Sequence, residues 1–173
     1  MFKRFLTIFI FLVLFSHSYA EVQKIVYLNV DKILQQSTAG KSIKKQLETI
    51  YKQNLEKFKK NDEILKNKEK KIIAQKNILS QEDFQKELIS LRTEIIKFQK
   101  DQVKAREDIN KLRIGATNKL ISKLSPILQD YAKKNSISLI LQKKNIVMGK
   151  KEIEITDEIL EITNKKIKDI KIN

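Results

Sequence analysis

From about residue 41 to residue 133 apolar side chains return at helical spacing, and most positions between them are charged or polar. Tyr51, Phe58, Leu65, Ile72 and Leu79 stand seven residues apart. Phe84, Leu88, Leu91, Ile95, Phe98, Ala105, Ile109, Leu112 and Ala116 follow at steps of three and four, with Gln102 interrupting. A mean step of about 3.5 residues marks a helix face that seats against a partner helix. Between the two runs the sequence LSQEDF reads as a helix start. Ser80 is the N-cap and Asp83 its capping-box partner, with Leu79 and Phe84 as a hydrophobic staple. The pattern predicts a helix ending near Leu79, a turn near residues 79–81 and a second helix that begins at once. The two form an antiparallel hairpin whose outgoing arm is roughly 55–60 Å long. In that arm the second seam position decays from Leu55 to Asp62, Glu69 and Lys76. The apolar stripe is one residue wide, and the tip is expected to move.

The two ends of the chain change period. Lys24 to Val30 alternates Val26, Leu28 and Val30 with Ile25, Tyr27 and Asn29, the pattern of a strand with one buried face. Asp31 is the expected cap of a short helix, DKILQQ, which STAG interrupts, so the outgoing arm starts after Gly40. Gly40-Lys41-Ser42 is not a phosphate loop, because Gln35 stands where its first glycine belongs and no strand feeds it. Gly115 breaks the helical pattern. From Leu120 the apolar face widens through Ile121, Leu124, Ile127, Leu128, Tyr131 and Ala132, as for a helix lying on a sheet, and Pro126 is expected to kink it. Ile137 to Leu141 predicts a strand, IVM a second and EIEI an extension. Thr156 is then the expected cap of a last helix running through Ile167. The fold class is α+β and mostly helical: a long antiparallel coiled-coil hairpin, residues 41–115, inserted in a small β-rich body built from residues 21–40 and 116–173. Three or four strands and some 50–60 residues make a marginal core, so the body is expected to oligomerise.

Residues 1–20 read as a secretory signal peptide. Lys3 and Arg4 precede an apolar run too short to span a bilayer, and Ser18 and Ala20 set cleavage after Ala20. Beyond that point 34 basic residues, Lys3 and Arg4 being removed, face 21 acidic ones. There is no cysteine, and the one histidine, His17, lies in the leader. Thiolate and imidazole metal sites, histidine triads and disulfides are therefore excluded, and the acidic residues are scattered along solvated helices. Neither an enzyme nor a cofactor is expected. The basic excess invites a nucleic-acid reading, but export argues against it and points to acidic protein clients or an anionic membrane surface.

KIVYLNVDKILQQS and AGKSIKKQLE are similar to the start of the Skp (OmpH-like) periplasmic chaperones, and ISLILQKKNIVMGKKEIEITDEIL resembles their closing strands and final helix. The resemblance implies a homotrimer with arms hanging around a central cavity in the periplasm. It implies an ATP-independent holdase that keeps unfolded outer-membrane proteins soluble until they insert. The arm residues expected to meet such clients are Lys59, Lys60, Lys66, Lys70, Lys71, Lys97, Lys100 and Lys104. The positions of the family's basic cluster for lipopolysaccharide do not map cleanly onto this sequence; the stretch that could substitute for it is KAREDINKLR, with Lys104, Arg106, Lys111 and Arg113. A structural coiled-coil envelope protein without chaperone activity is the alternative, and it requires a continuous, well-packed seam.

Overall fold

The structure, a computed structural model, describes residues 23–172. The signal-peptide reading of residues 1–20 lies outside the described residues. The chain opens with strand β1 (Lys24–Leu28) and two helices, α1 (Val30–Gln36) and α2 (Thr38–Ala74). Helix α3 (Gln81–Lys134), strand β2 (Ile137–Gln142) and helix α4 (Thr156–Lys166) follow. β1 and β2 pair in parallel, Ile25 opposite Leu139 and Leu28 opposite Gln142. Parallel neighbours need a crossover connection, which is usually one helix. Here the crossover contains the whole hairpin.

Two caps differ from the sequence expectation. Asn29, not Asp31, caps α1, its side chain accepting from the Lys32 N–H at 3.0 Å. Ser37 alone separates α1 from α2. Its N–H donates to the Ile33 carbonyl, and its hydroxyl accepts from the Gly40 N–H at 3.0 Å. The arm helix thus starts at Thr38, and Gly40 lies inside it. Glycine is needed there for space, because a Cβ would fall 1.8 Å from the Leu34 carbonyl oxygen.

The hairpin is antiparallel. Phe58 and Phe98 meet edge to face with ring centroids 5.9 Å apart, and farther out Lys68 reaches back to Glu94 at 2.6 Å. Its outgoing helix stops at Ala74 rather than near Leu79. Residues 75–80 form a turn in which the Ile78 and Leu79 N–H groups donate to the Gln75 carbonyl. Ser80 caps α3 as expected, accepting from the Asp83 N–H at 3.1 Å. The Asp83 carboxylate accepts from the Ser80 hydroxyl at 2.6 Å.

The seam also departs from the heptad reading. Tyr51 and Leu55 are each 57% exposed. The covered row of α2 is Ile43, Leu47, Ile50, Asn54, Phe58, Asn61, Leu65, Lys68 and Ile72. Its mean step is about 3.6 residues, the period of an α-helix that has not been underwound to 3.5. A strict seven-residue row drifts by about 20° per heptad on such a helix, so Tyr51 turns out of a seam that Ile72 occupies. The polar seam position is therefore Asn54, Asn61 and Lys68, one residue before Leu55, Asp62 and Glu69. On α3, Glu94 and Gln102 enter the seam beside Leu91 and Phe98, while Ile95 is left at its edge.

α3 runs unbroken through Gly115 and Pro126 to Lys134. Pro126 and Ser122, whose carbonyl loses its helical partner, are both exposed, so that carbonyl is open to solvent. After the Asn135 cap, Ser136 takes a left-handed φ of 51° and turns the chain into β2. The body holds two strands rather than three or four. Ile146–Met148 pairs with nothing among the described residues, and EIEI contributes one bridge, the Ile155 N–H donating to the Tyr27 carbonyl at 2.9 Å. Thr156 is the first residue of α4 rather than its cap. Buried, it accepts from the Asn29 N–H at 2.9 Å and so holds the end of β1. α4 ends at Lys166.

Burial is concentrated in two clusters. Val26, Leu28, Ile33, Leu124, Ile155 and Ile159 form the body core. Ala39, Ile43, Ala116, Leu120, Ile127, Ile167 and Ile170 form a second core at the arm root. Beyond the root, among the described residues, only Ile72 and Leu91 are buried in the arms.

Candidate functional site

Charge on the arms is uneven. α2 carries eleven lysines against five acidic residues. All eight arm lysines named from sequence are exposed. Helical spacing places Lys59, Lys66 and Lys70 on one face of α2, with Lys60 and Lys71 on a neighbouring one, and gathers Lys97, Lys100 and Lys104 on one face of α3. Lys66 is tied to Asp62 of the preceding turn at 2.7 Å, and this hydrogen bond raises its pKa. It offers less free charge than its neighbours.

The apolar complement was not legible as a site. Along both arms apolar residues come as doublets: Ile64-Leu65, Ile72-Ile73, Ile78-Leu79, Leu88-Ile89. In the helices the seam takes Leu65, Ile72 and Leu88 and leaves Ile64, Ile73 and Ile89 outside, Ile89 being 65% exposed, and in the turn Ile78 is 80% exposed. The doublets were the available signal, since a two-helix seam has room for one residue of each pair.

Two hollows combine these features. On α3, Ile96 and Val103 floor a shallow depression of about 610 Å³ rimmed by Lys100, Lys104 and Lys111, with Asp101, Glu107 and Asp108 beside them. At the arm root, Leu47, Tyr51, Leu55 and Ile109 floor a groove of about 940 Å³ with Lys44, Lys52 and Arg113 on its edge and Glu48 among them. Tyr51 and Leu55, expected in the seam, are thus part of an open surface.

The four residues of KAREDINKLR do not form one patch. Lys104 and Lys111 share a face and line the α3 depression. Arg106 and Arg113, seven apart from each other, lie about 200° away around the helix, and Arg113 edges the root groove.

The half-buried polar seam has its own electrostatics. The hydrogen bond from Lys68 holds the Glu94 carboxyl below the ordinary carboxylate range, against the partial desolvation of the site, with help from the Lys68 charge and the Ser90 hydroxyl. In the body, Lys143 donates to both Glu154 oxygens at 3.0 and 2.9 Å, which lowers the Glu154 pKa and raises that of Lys143. Among the described residues, no group of three or more Asp, Glu, His or Cys side chains is placed to hold a metal ion.

Among the described residues, nothing pairs with the outer edge of β2. Leu139, Leu141 and Ile121 are exposed beside it, and an apolar groove of about 490 Å³ runs between the strand and α3. Val147 and Met148 project nearby in sequence, fully in solvent.

Against known proteins, the family model described as "Outer membrane protein (OmpH-like)" matches residues 24–162. Among solved structures the chain is similar to a Caulobacter crescentus protein described as an OmpH-like outer membrane chaperone. The two superpose with a TM-score of 0.82 at 16% identity, over 88% of this chain and 90% of that one. No curated protein sequence matches.

Proposed function

This chain belongs to the OmpH-like family of outer membrane proteins, and from that premise we propose that it is an ATP-independent periplasmic holdase for unfolded outer-membrane proteins. The observation that carries this reading is the open groove at the arm root, apolar in floor, with Lys44, Lys52 and Arg113 on its edge against the one acid Glu48; the α3 depression also has an apolar floor, but its three lysines stand beside three acids. An unfolded β-barrel chain presents apolar faces and acidic side chains together. Lysines draw it in at long range, and exposed isoleucines, Tyr51 and Leu55 then hold it by many shallow contacts. No one contact needs to be strong, and release follows from client folding or hand-over. A structural envelope coiled coil requires a dry, continuous seam, whereas this seam admits Asn54, Asn61, Lys68 and Glu94.

In the same reading the bodies associate as a homotrimer through the open β2 edge and its apolar groove, with Ile146–Met148 of one copy available to a neighbour. The arms then enclose a cavity. In this reading contact with an anionic membrane surface or lipopolysaccharide uses Lys104 and Lys111, which share a face, rather than all four basic residues of the segment.

The test is aggregation of a porin diluted from denaturant, followed by light scattering, without ATP and at near-stoichiometric chaperone. Suppression is expected at about 0.02 M salt and should weaken at about 0.5 M, where screening is within a few Å. Aggregation that proceeds unchanged at low salt refutes the holdase reading. A native mass other than three chains refutes the trimer.

A further inference from the structure

Both long helices carry an apolar row that the seam does not use. On α3 it is Ile89, Ile96, Val103 and Ile114, all exposed. At about 100° per residue these four stand within about 40° of one another, opposite the covered Leu91, Phe98, Ile109 and Ala116. Arg92, Lys100 and Lys111 border the row, and Glu107 is the acid within it. On α2 the row is Tyr51, Leu55 and Ile73, also exposed, and it lies roughly a quarter turn from the seam. Its charged neighbours on that face include Glu48, Asp62 and Glu69. Glu48 and Asp62 have lysines of their own helix at 3.9 and 2.7 Å; among the described residues Glu69 has none.

The two rows match in height. The hairpin sets Phe58 level with Phe98 and Lys68 level with Glu94. Counted from those pairs, Ile73 stands level with Ile89, Glu69 with Arg92, Leu55 with Val103 and Glu48 with Lys111, each within about one helical turn. Inside one chain the rows point in different directions and cannot meet. Between copies whose arms run side by side, equal heights come together, apolar on apolar and acid on base. Pairing α3 with α3 would set base against base, and an anionic surface would suit the α3 row alone.

We propose that the arms of neighbouring copies close on one another when the cavity is empty, the α2 row of one against the α3 row of the next, and that a client must part them. Two different patches of one chain make a heterologous contact, which forms a ring when its rotation closes. The contact covers Glu48, Tyr51 and Leu55 of the root groove, so an empty chaperone shields its own apolar surface. Opening by a client rests on the holdase reading and the number of copies on the trimer; the complementarity of the rows rests on neither.

The chain has no cysteine, so introduced thiols report the contact alone. Leu55→Cys and Val103→Cys in one chain should give a covalent trimer on a non-reducing gel after mild oxidation of the native protein, because each copy is linked to the next. Neither single variant should. Leu55→Cys with Ile89→Cys moves the second thiol by about 21 Å along α3 and should cross-link at least about tenfold more slowly. Arg92→Glu should slow trimer formation, and Glu69→Arg added to it should restore the rate. All these positions are exposed, and circular dichroism with native mass shows that each variant is folded and assembled. A protein of three-chain native mass that yields no covalent trimer, or yields it equally with the displaced thiol, overturns the closure. Cross-linked dimers alone, the product of α3 against α3, overturn it as well. A native mass of one chain overturns the trimer and the closure together. Denatured porin added before oxidation should abolish the cross-link. If the cross-link forms unchanged while the same protein suppresses porin aggregation, opening by the client is wrong. If aggregation is not suppressed, the holdase reading fails and the contact between arms stands.

Discussion

Two glycines sit inside the long helices, and the structure predicts opposite outcomes when each becomes alanine. At Gly40 the added Cβ would lie 1.8 Å from the Leu34 carbonyl oxygen, 2.7 Å from its carbon and 3.1 Å from Ser37 Oγ. A comfortable carbon–oxygen contact is about 3.3 Å, so the end of α1 must retreat by about 1.5 Å from a buried joint. Overpacking of that order costs about 1–3 kcal/mol. The same movement pulls Ser37 away from the Gly40 N–H, and losing such a cap costs about 1 kcal/mol. Alanine's better helix propensity returns about 1 kcal/mol. The net expectation is a loss of about 2 kcal/mol. At Gly115 nothing opposes the methyl group, and Gly115→Ala should stabilise by about 0.5–1 kcal/mol. For a chain of this size the melting temperature should fall by about 4–8 °C in the first variant and rise by about 1–4 °C in the second. The assay is far-ultraviolet circular dichroism on heating, at one protein concentration because association contributes to stability. A Gly40→Ala protein as stable as the wild type, or both variants shifting the same way, refutes the packing argument.

Three further outcomes are expected. Leu91→Ala, which removes one of the two buried side chains of the outer arm, should lose about 2 kcal/mol locally; hydrogen exchange should speed up in the outer hairpin and not in β1 or β2. Acid should loosen the same region. Glu94 has a depressed pKa in the folded chain, so its contribution is present above the ordinary carboxylate value and is lost as the pH falls through the depressed one. Exchange at the arm tip, compared between wild type and Glu94→Gln as the pH is lowered, should converge in acid and differ at neutrality. Ser136→Gly removes a left-handed φ from a residue with a Cβ and should stabilise by about 1 kcal/mol in urea titration; a loss would mean that the Ser136 side chain contributes something the geometry does not show.

The strand at each end, the hairpin between them and the Ser80 cap all follow from local signals that the fold then uses. What escaped the sequence were choices between near neighbours. Asn29 and Asp31 are both good caps, and the choice fell to Asn29 because Thr156, distant in sequence, fixes the backbone there. No glycine or proline marks the end of α2, so the stop at Ala74 left no trace in residues 75–79. A seven-residue count was too strict for helices of period 3.6, which hid Tyr51 and Leu55 as surface residues. Ile170 and Ile172 carried no signal, because the residues that hold the chain past α4 at the arm root are distant in sequence, the amide of Gln46 being 124 residues from Ile170. The lysines were visible individually; the depression that Lys100 and Lys104 rim depends on Ile96 and Val103 standing outside the seam.

The insertion of the hairpin inside a parallel crossover has a consequence for how the molecule is made. β1 emerges early, yet its partner begins at Ile137, so over a hundred residues must follow before the first ladder bond can close. Closing a loop of that length in a flexible chain is slow and entropically costly. The two long helices, by contrast, need only neighbours near in sequence, and their zippering draws Thr38 and the far end of α3 together. The projecting element thus works first as a splint for its own base, and a nascent chain halted before Ile137 would hold finished arms on an unfinished body.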